Sequence, residues 1–241
     1  MLELIHVSKH YKKVIAVKDL SFCIDKGEVF GIIGENGAGK STTLSMIATL
    51  IKPEEGSILF EGKDIVKHPK VIRQSLGYVP QDIALYESLT GYDNILFWGR
   101  AYHVSDKLIH QRLAILSDMV GFSASLLNKK VKEYSGGMKR KLNIIAALLH
   151  QPKLVIFDEP TVGIDIRSRK QILKAILELK RNGTSVIFVG HHMDEIESIC
   201  DRILVLKDGR SIYNGTMKEA VNRQTGKIPL EQLYMELMNQ S

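Results

Sequence analysis

Cysteine is nearly absent from this chain. Cys23 and Cys200 are the only two in 241 residues, and they form no CxxC pair. That excludes a disulfide scaffold and a cysteine-based zinc site, and it fits a reducing compartment. No apolar run approaches the roughly 18 residues needed to cross a bilayer. The start, Met1-Leu2-Glu3-Leu4-Ile5-His6, lacks the basic segment and apolar stretch of a secretory leader. Internal repeats, low-complexity tracts and sustained heptads are also missing, which excludes solenoids and long coiled coils. What remains is a chain with 44% apolar residues, rich enough to bury a core. Its length suits one large α/β domain or a domain carrying an inserted lobe. The net charge is +6. Many of the Lys and Arg residues lie at helical spacing beside acidic ones, which reads as solvated faces, so no nucleic-acid partner is expected.

The organising stretch is Gly34-Glu35-Asn36-Gly37-Ala38-Gly39-Lys40-Ser41. The apolar run Val29 to Ile33 precedes it, and Thr42-Thr43-Leu44-Ser45-Met46-Ile47-Ala48 follows at helical spacing. Strand, glycine-rich loop and helix form the context of a Walker A phosphate loop. Backbone amides and the helix N-terminus cradle phosphate oxygens, Lys40 reaches the β- and γ-phosphates, and the Ser41 hydroxyl suits Mg²⁺. A nucleoside triphosphate site is therefore the premise.

Elsewhere, residues 2–10 and 15–24 read as strands, with short strands at 57–60 and 76–79, the last delivering Gln81. Helical patterns dominate from about 90 to 150, over 92–103, 107–119 and 137–149. In the last, Met138, Leu142, Ile145 and Leu149 make one apolar stripe. Alternation then resumes with a strand at 153–157, a helix at 167–180, a strand at 185–189, a helix at 193–199, a strand at 202–206 and a hairpin through Asp208-Gly209. The tail from Thr216 reads as helical, with a loop at 224–229. Two carboxylates, Asp158 and Glu159, end the apolar run Leu154-Val155-Ile156-Phe157, as expected where a buried parallel strand meets a metal-phosphate site. The first is placed for the Mg²⁺ shell, the second for the attacking water. Ser135-Gly136-Gly137 opens a helix and offers a second anion-binding start.

In this order, a phosphate loop, a Gln after a strand, Ser-Gly-Gly opening a helix, Asp-Glu ending a strand and a His after the next strand resemble the nucleotide-binding subunit of ATP-binding-cassette (ABC) transporters. The resemblance covers about residues 2–215. It implies an α/β fold: a P-loop NTPase core with a mostly parallel sheet, an N-terminal antiparallel β subdomain and an inserted all-helical subdomain. The core would take about residues 1–85 and 151–215, the helical signature subdomain about 86–150, and the C-terminal tail 216–241. It implies ATP and Mg²⁺, with Gly34 to Thr42 as the phosphate loop and Tyr11 stacking on adenine. Ser41, Gln81 and Asp158 would attend the metal. Glu159, His191 and Gln81 would serve hydrolysis, His191 being preferred to its neighbour His192. Ser135, Gly136 and Gly137 would contact the opposite subunit's ATP, and Asp165 would lie in the loop crossing the dimer. Gly137 is expected to allow close approach of backbone to that phosphate.

The signature departs from the commonest pattern. Tyr134 replaces Leu and Met138 replaces Gln, and Lys139-Arg140-Lys141 follows. This form, with Leu85 to Gly91 and Asn94, is similar to exporter-type subunits whose membrane permease is a separate chain. The implied partners are that permease and a second ATP-binding subunit, identical or paralogous, at the cytoplasmic face of the cell membrane. An importer ATPase and a soluble ABC ATPase are the alternatives. Asn128-Lys129-Lys130-Val131 lacks the aspartate of a guanine-reading motif, although stacking on Tyr11 would discriminate poorly among purines.

Overall fold

The structure is a computed structural model that describes residues 1–223 and 226–239. It forms two compact units, one of residues 1–73 with 185–241 and one of residues 74–184.

The first unit begins with β1 (Leu2–Tyr11), β2 (Val14–Ile24), β3 (Val29–Gly34), α1 (Lys40–Ile47), β4 (Glu55–Phe60), β5 (Lys63–Asp64) and α2 (Pro69–Arg73). The second unit holds β6 (Leu76–Val79), α3 (Gly91–Ala101), α4 (Asp106–Val120), α5 (Gly136–Leu148), β7 (Leu154–Asp158) and α6 (Ile166–Arg181). The chain then returns to the first unit with β8 (Ser185–Val189), α7 (Met193–Ile199), β9 (Arg202–Lys207), β10 (Arg210–Thr216), α8 (Met217–Val221), β11 (Asn222–Arg223), β12 (Gly226–Lys227) and α9 (Leu230–Asn239).

In the first unit, an antiparallel sheet runs β2-β1-β4-β5. Separately, β3 lies between β8 and β9 and is parallel to both, while β10 pairs antiparallel with β9. The sequence accounts for this division. β3 and β8 are buried at every residue, as strands covered on both faces must be. β1 and β2 mix buried with exposed positions along their length. The β9–β10 hairpin turns on Asp208 and Gly209, with φ of 49° and 74°. Both values belong to the turn class that Asp-Gly favours.

In the second unit, β6 and β7 pair in parallel, Leu76 opposite Leu154. The helices obey their end signals. Thr90 and Asp93 close a reciprocal capping box on α3, and Asp165 caps α6, which stops at Asn182 with Gly183 left-handed at 83°. One expectation fails. α5 is not a helix with a single apolar stripe, because every residue from Arg140 through Leu148 is buried, as is Gly137. It packs against α3, α4, α6 and β6 at once. A four-three-four periodicity finds one contact face and cannot show that the others are also covered.

The sequence reading missed β5 and the short α2, while the tail from Thr216 is helical as expected, in α8 and α9. Glu219 completes a capping box with Thr216 on α8. Of the loop expected over 224–229, Gln224 and Thr225 lie outside the described residues, while Gly226–Lys227 pairs with Asn222–Arg223. α9 is tied down by Leu230 N donating to Glu197 Oε2 at 3.1 Å and by Lys207 Nζ donating to Met238 O at 2.8 Å. No helix among the described residues is long and apolar enough to cross a membrane.

Asn94 shows how the start of the helical segment is held. It is wholly buried. Its Oδ1 accepts from Tyr86 N at 2.8 Å, and its Nδ2 donates to Tyr86 O at 3.0 Å and Thr90 O at 2.9 Å. Alanine would leave Tyr86 N without its partner and would remove one of the two donors on each of the Tyr86 and Thr90 carbonyls. Asn94→Ala should destabilise the second unit by about 2 kcal/mol or more. Trp98, the single tryptophan, lies in the same unit and reports the loss in urea denaturation by fluorescence. An unchanged midpoint would refute this account.

Candidate functional site

The loop expected to bind phosphate takes its shape from two backbone requirements. β3 ends buried at Gly34, and α1 begins at Lys40 after Gly39, whose φ is 101°. An L side chain at Gly39 would be strained there, and its Cβ would stand 2.4 Å from the carbonyl oxygen of Ala16. The loop is thus pressed against β2. A second brace comes from the β9–β10 turn, where Gly209 N donates to Ala38 O at 3.2 Å and Lys18 N donates to Gly209 O at 2.8 Å. Glu35, Asn36 and Gly37 are exposed, as is Ser41, while Thr42 is half-buried.

Lys40 is buried at 7% exposure. Its ammonium donates to Gly34 O at 2.6 Å and Glu35 O at 2.9 Å. An ammonium removed from water needs such acceptors, and these hold it inside the loop that phosphate oxygens would share. Tyr11 stands at the end of β1 with 47% exposure and Lys9 Nζ 5.8 Å from its ring centroid. An exposed ring with a cation beside it suits a planar, anionic partner. His191 follows β8 and is exposed, while His192 occupies the cap position of α7.

The second unit carries the carboxylates. Asp158 ends β7 and is 9% exposed, and Glu159 is 8% exposed. Glu159 has a left-handed backbone with φ 50°, a conformation that a non-glycine residue keeps only when its surroundings fix it. Gln81 Nε2 donates to Glu159 Oε2 at 3.0 Å, so residues 78 positions apart in sequence meet. Tyr78 Oη donates to Asp158 Oδ2 at 3.4 Å. Sequence reading missed Tyr78. The one available signal is its place on β6, two residues before Pro80.

The signature residues open α5. Ser135 and Gly136 are exposed, and Ser135 Oγ accepts from Met138 N at 3.3 Å. Gly137 departs from expectation in one respect: its lack of a side chain is already demanded inside the chain. A Cβ there would meet Ser168 Oγ at 2.5 Å and Asp165 Oδ2 at 3.0 Å. Asp165 in turn caps α6 by accepting from Ser168 N at 2.9 Å, and that hydrogen bond holds its carboxyl below the ordinary aspartate range. The Ser-Gly-Gly start and the aspartate loop are therefore packed together in one unit.

The metal donors expected from sequence are a hydroxyl, an amide oxygen and one carboxylate. This oxygen-only set suits Mg²⁺, which keeps several waters and shares phosphate oxygens. Since Gln81 Nε2 is on Glu159, its Oε1 is the atom suited to a cation. Among the described residues no three His, Cys, Asp or Glu side chains gather as a metal cage, and a cation bound chiefly through phosphate requires none.

The family described as "ABC transporter" matches residues 17–162. The linearmycin resistance ATP-binding protein LnrL of Bacillus subtilis is 43% identical over 226 residues, which are 94% of this chain and 72% of that protein. The doxorubicin resistance ATP-binding protein DrrA of Mycobacterium tuberculosis is 35% identical, over 88% of this chain and 63% of that protein. A solved ATP-binding subunit of an ABC transporter superposes with a TM-score of 0.90 at 32% identity, covering 99% of this chain and all of that one (100%). A dimeric ATP-binding cassette in a post-hydrolysis state with ADP and Pi superposes with a TM-score of 0.82 at 28% identity, covering 90% of this chain and 99% of that one.

Burial, followed by the neighbouring Asp158 charge, pushes the Tyr78 phenol from 10.0 to about 12. Because the folded value lies above the unfolded one, its contribution to stability is complete below pH 10.0 and is lost as pH rises through about 12. Tyr78→Phe should remove absorbance from the latest phase of an alkaline titration at a tyrosinate wavelength, and leave the phase near pH 10 intact. Loss from the early phase instead would show that the hydroxyl is not held by Asp158.

Proposed function

The chain belongs to the ABC transporter ATP-binding family, and from that premise we propose that it energises export through a separate membrane permease by ATP-driven, head-to-tail dimerisation. It is an ATP-binding subunit and an ATPase. Export is favoured by the names of two relatives, which are linearmycin and doxorubicin resistance proteins, and by the signature form Tyr134-Ser135-Gly136-Gly137-Met138. The subunit would then work at the cytoplasmic face of the membrane.

The observation that carries the ATPase mechanism is the buried Glu159 held by Gln81 at 3.0 Å. A carboxylate with fixed orientation is suited to polarise and deprotonate an attacking water, while the amide that fixes it senses the same site. Lys40 and the amides of Gly34 to Thr42 hold the β- and γ-phosphates, and Tyr11 stacks on adenine. Ser41, Gln81 and Asp158 would hold Mg²⁺, which neutralises charge on the β- and γ-oxygens when bound. His191 contacts the γ-phosphate. Ser135, Gly136 and Gly137 reach the nucleotide of a second subunit, with Asp165 in the loop between them, so one interface contains two shared sites.

Glu159→Gln keeps the shape but loses the base. It should retain ATP binding, lower hydrolysis at least about a hundredfold and accumulate an ATP-dependent dimer on size exclusion. Unchanged turnover would place the catalytic carboxylate elsewhere. Sharing of sites is tested at Gly136 rather than Gly137, since a Cβ at Gly136 meets only Gly163 O at 3.5 Å and leaves the chain's own packing intact. Gly136→Asp should bind ATP but not hydrolyse it, because it sets bulk and negative charge at the helix start. Lys40→Ala should fail to bind. Mixing the two variants rebuilds one intact composite site, so activity should partly return. Absence of recovery, with heterodimers shown to form, would overturn the shared-site mechanism.

A further inference from the structure

The cationic run Lys139-Arg140-Lys141 departs from the commonest signature, and its three side chains go to three different places. Lys139 Nζ pairs with Glu87 on the surface. Lys141 is 8% exposed and donates to Gly121 O at 3.1 Å and to Gln171 Oε1 of α6. Arg140 is 4% exposed. Its Nη1 donates to Pro80 O at 2.6 Å and its Nη2 to Gln81 O at 2.5 Å.

That last arrangement is costly without a reason. Burial lowers the affinity of the guanidinium for its proton, and the charges of Asp158 and Asp82 oppose the effect. A buried cation must be matched by acceptors. The acceptors here are two successive carbonyls, and a planar guanidinium matches two acceptors at once where a lysine ammonium meets them as a point charge. The residue so gripped is the one whose side chain holds Glu159 at 3.0 Å. A continuous path therefore runs from the exposed start of α5 at Ser135, through Arg140, to the backbone of Gln81, and through its amide to Glu159. All of it lies in the second unit.

We propose that Arg140 is a positioning residue: its fork on Pro80 and Gln81 fixes the aim of the Gln81 amide at Glu159 and ties the signature helix to the catalytic carboxylate. The proposal rests on the functional reading of Glu159 given above. It assigns Arg140 no contact with ATP. Movement of α5 when a nucleotide engages Ser135 would reach Glu159 through the side chains of Arg140 and Gln81 and the hydrogen bonds they make.

The test uses Arg140→Met, which keeps length but has no donor, and Arg140→Lys, which keeps charge but loses the fork. Hydrogen exchange of the backbone segment 79–84 should rise in Arg140→Met and rise less in Arg140→Lys, with the other segments of the second unit unaltered. This readout does not depend on turnover. In ATPase assays, Arg140→Met should lower kcat about tenfold or more, as misplacement of a catalytic group does, while KM for ATP stays within about twofold. Arg140→Lys should fall between. In a Gln81→Ala background, Arg140→Met should add little, because the path is already cut. Unchanged exchange at 79–84, additive effects with Gln81→Ala, or a rise in KM at constant kcat would each overturn the proposal. Should Arg140→Met fail to fold, Arg140→Lys carries the same comparisons. Turnover by the unaltered chain, and its loss in Glu159→Gln, checks the functional reading separately.

Discussion

Lys40 lies beneath its own loop with its ammonium on the carbonyls of Gly34 and Glu35, and much of the first unit follows from keeping it there. The loop must leave a buried strand, bend round a cation and start a helix within six residues. Such a bend survives only if the backbone is braced from outside. β2 supplies one brace, through the Ala16 carbonyl that excludes any side chain at Gly39. The β9–β10 turn supplies the other through Gly209. Both braces come from segments that carry no phosphate-binding chemistry themselves. The antiparallel strand β2 and the β9–β10 hairpin thus contribute to the loop by preorganising it, which removes an ordering cost from ligand binding.

The second unit solves a different problem. It buries a carboxylate pair, an arginine and a lysine. Each charge is matched: Asp158 by Tyr78, Glu159 by Gln81, Arg140 by two carbonyls, and Lys141 by Gly121 and Gln171. Because interior charges without partners cost several kcal/mol, each pairing also fixes a position. The glutamine loop, the signature helix and the aspartate loop are linked in this way. Asp165 and Ser168 press on Gly137 at the beginning of α5, and Arg140 grips Gln81 one turn further on.

The sequence by itself determined the elements with strong local signals. Ser185–Val189 and Met193–Ile199 are found at the expected bounds, because a short apolar run and a helix with acidic residues in its first turn are written in adjacent residues. The strand, loop and helix around Gly34 to Ser41 were legible for the same reason: strand, glycines, lysine and helix are contiguous. The order of Gln81, Ser135, Asp158, Glu159 and His191 was enough to indicate the family. Tertiary structure decided what those residues touch. Gln81 meets Glu159 across 78 positions, and Arg140 meets Pro80 across 60. No periodicity encodes such pairings, since a pattern of apolar spacing reports which face is covered and not by what. The single stripe read in α5 was one face of a helix enclosed by α3, α4, α6 and β6. The burial of Arg140 was not legible in the run Lys139-Arg140-Lys141, because the enclosure of a side chain depends on segments far from it in the chain.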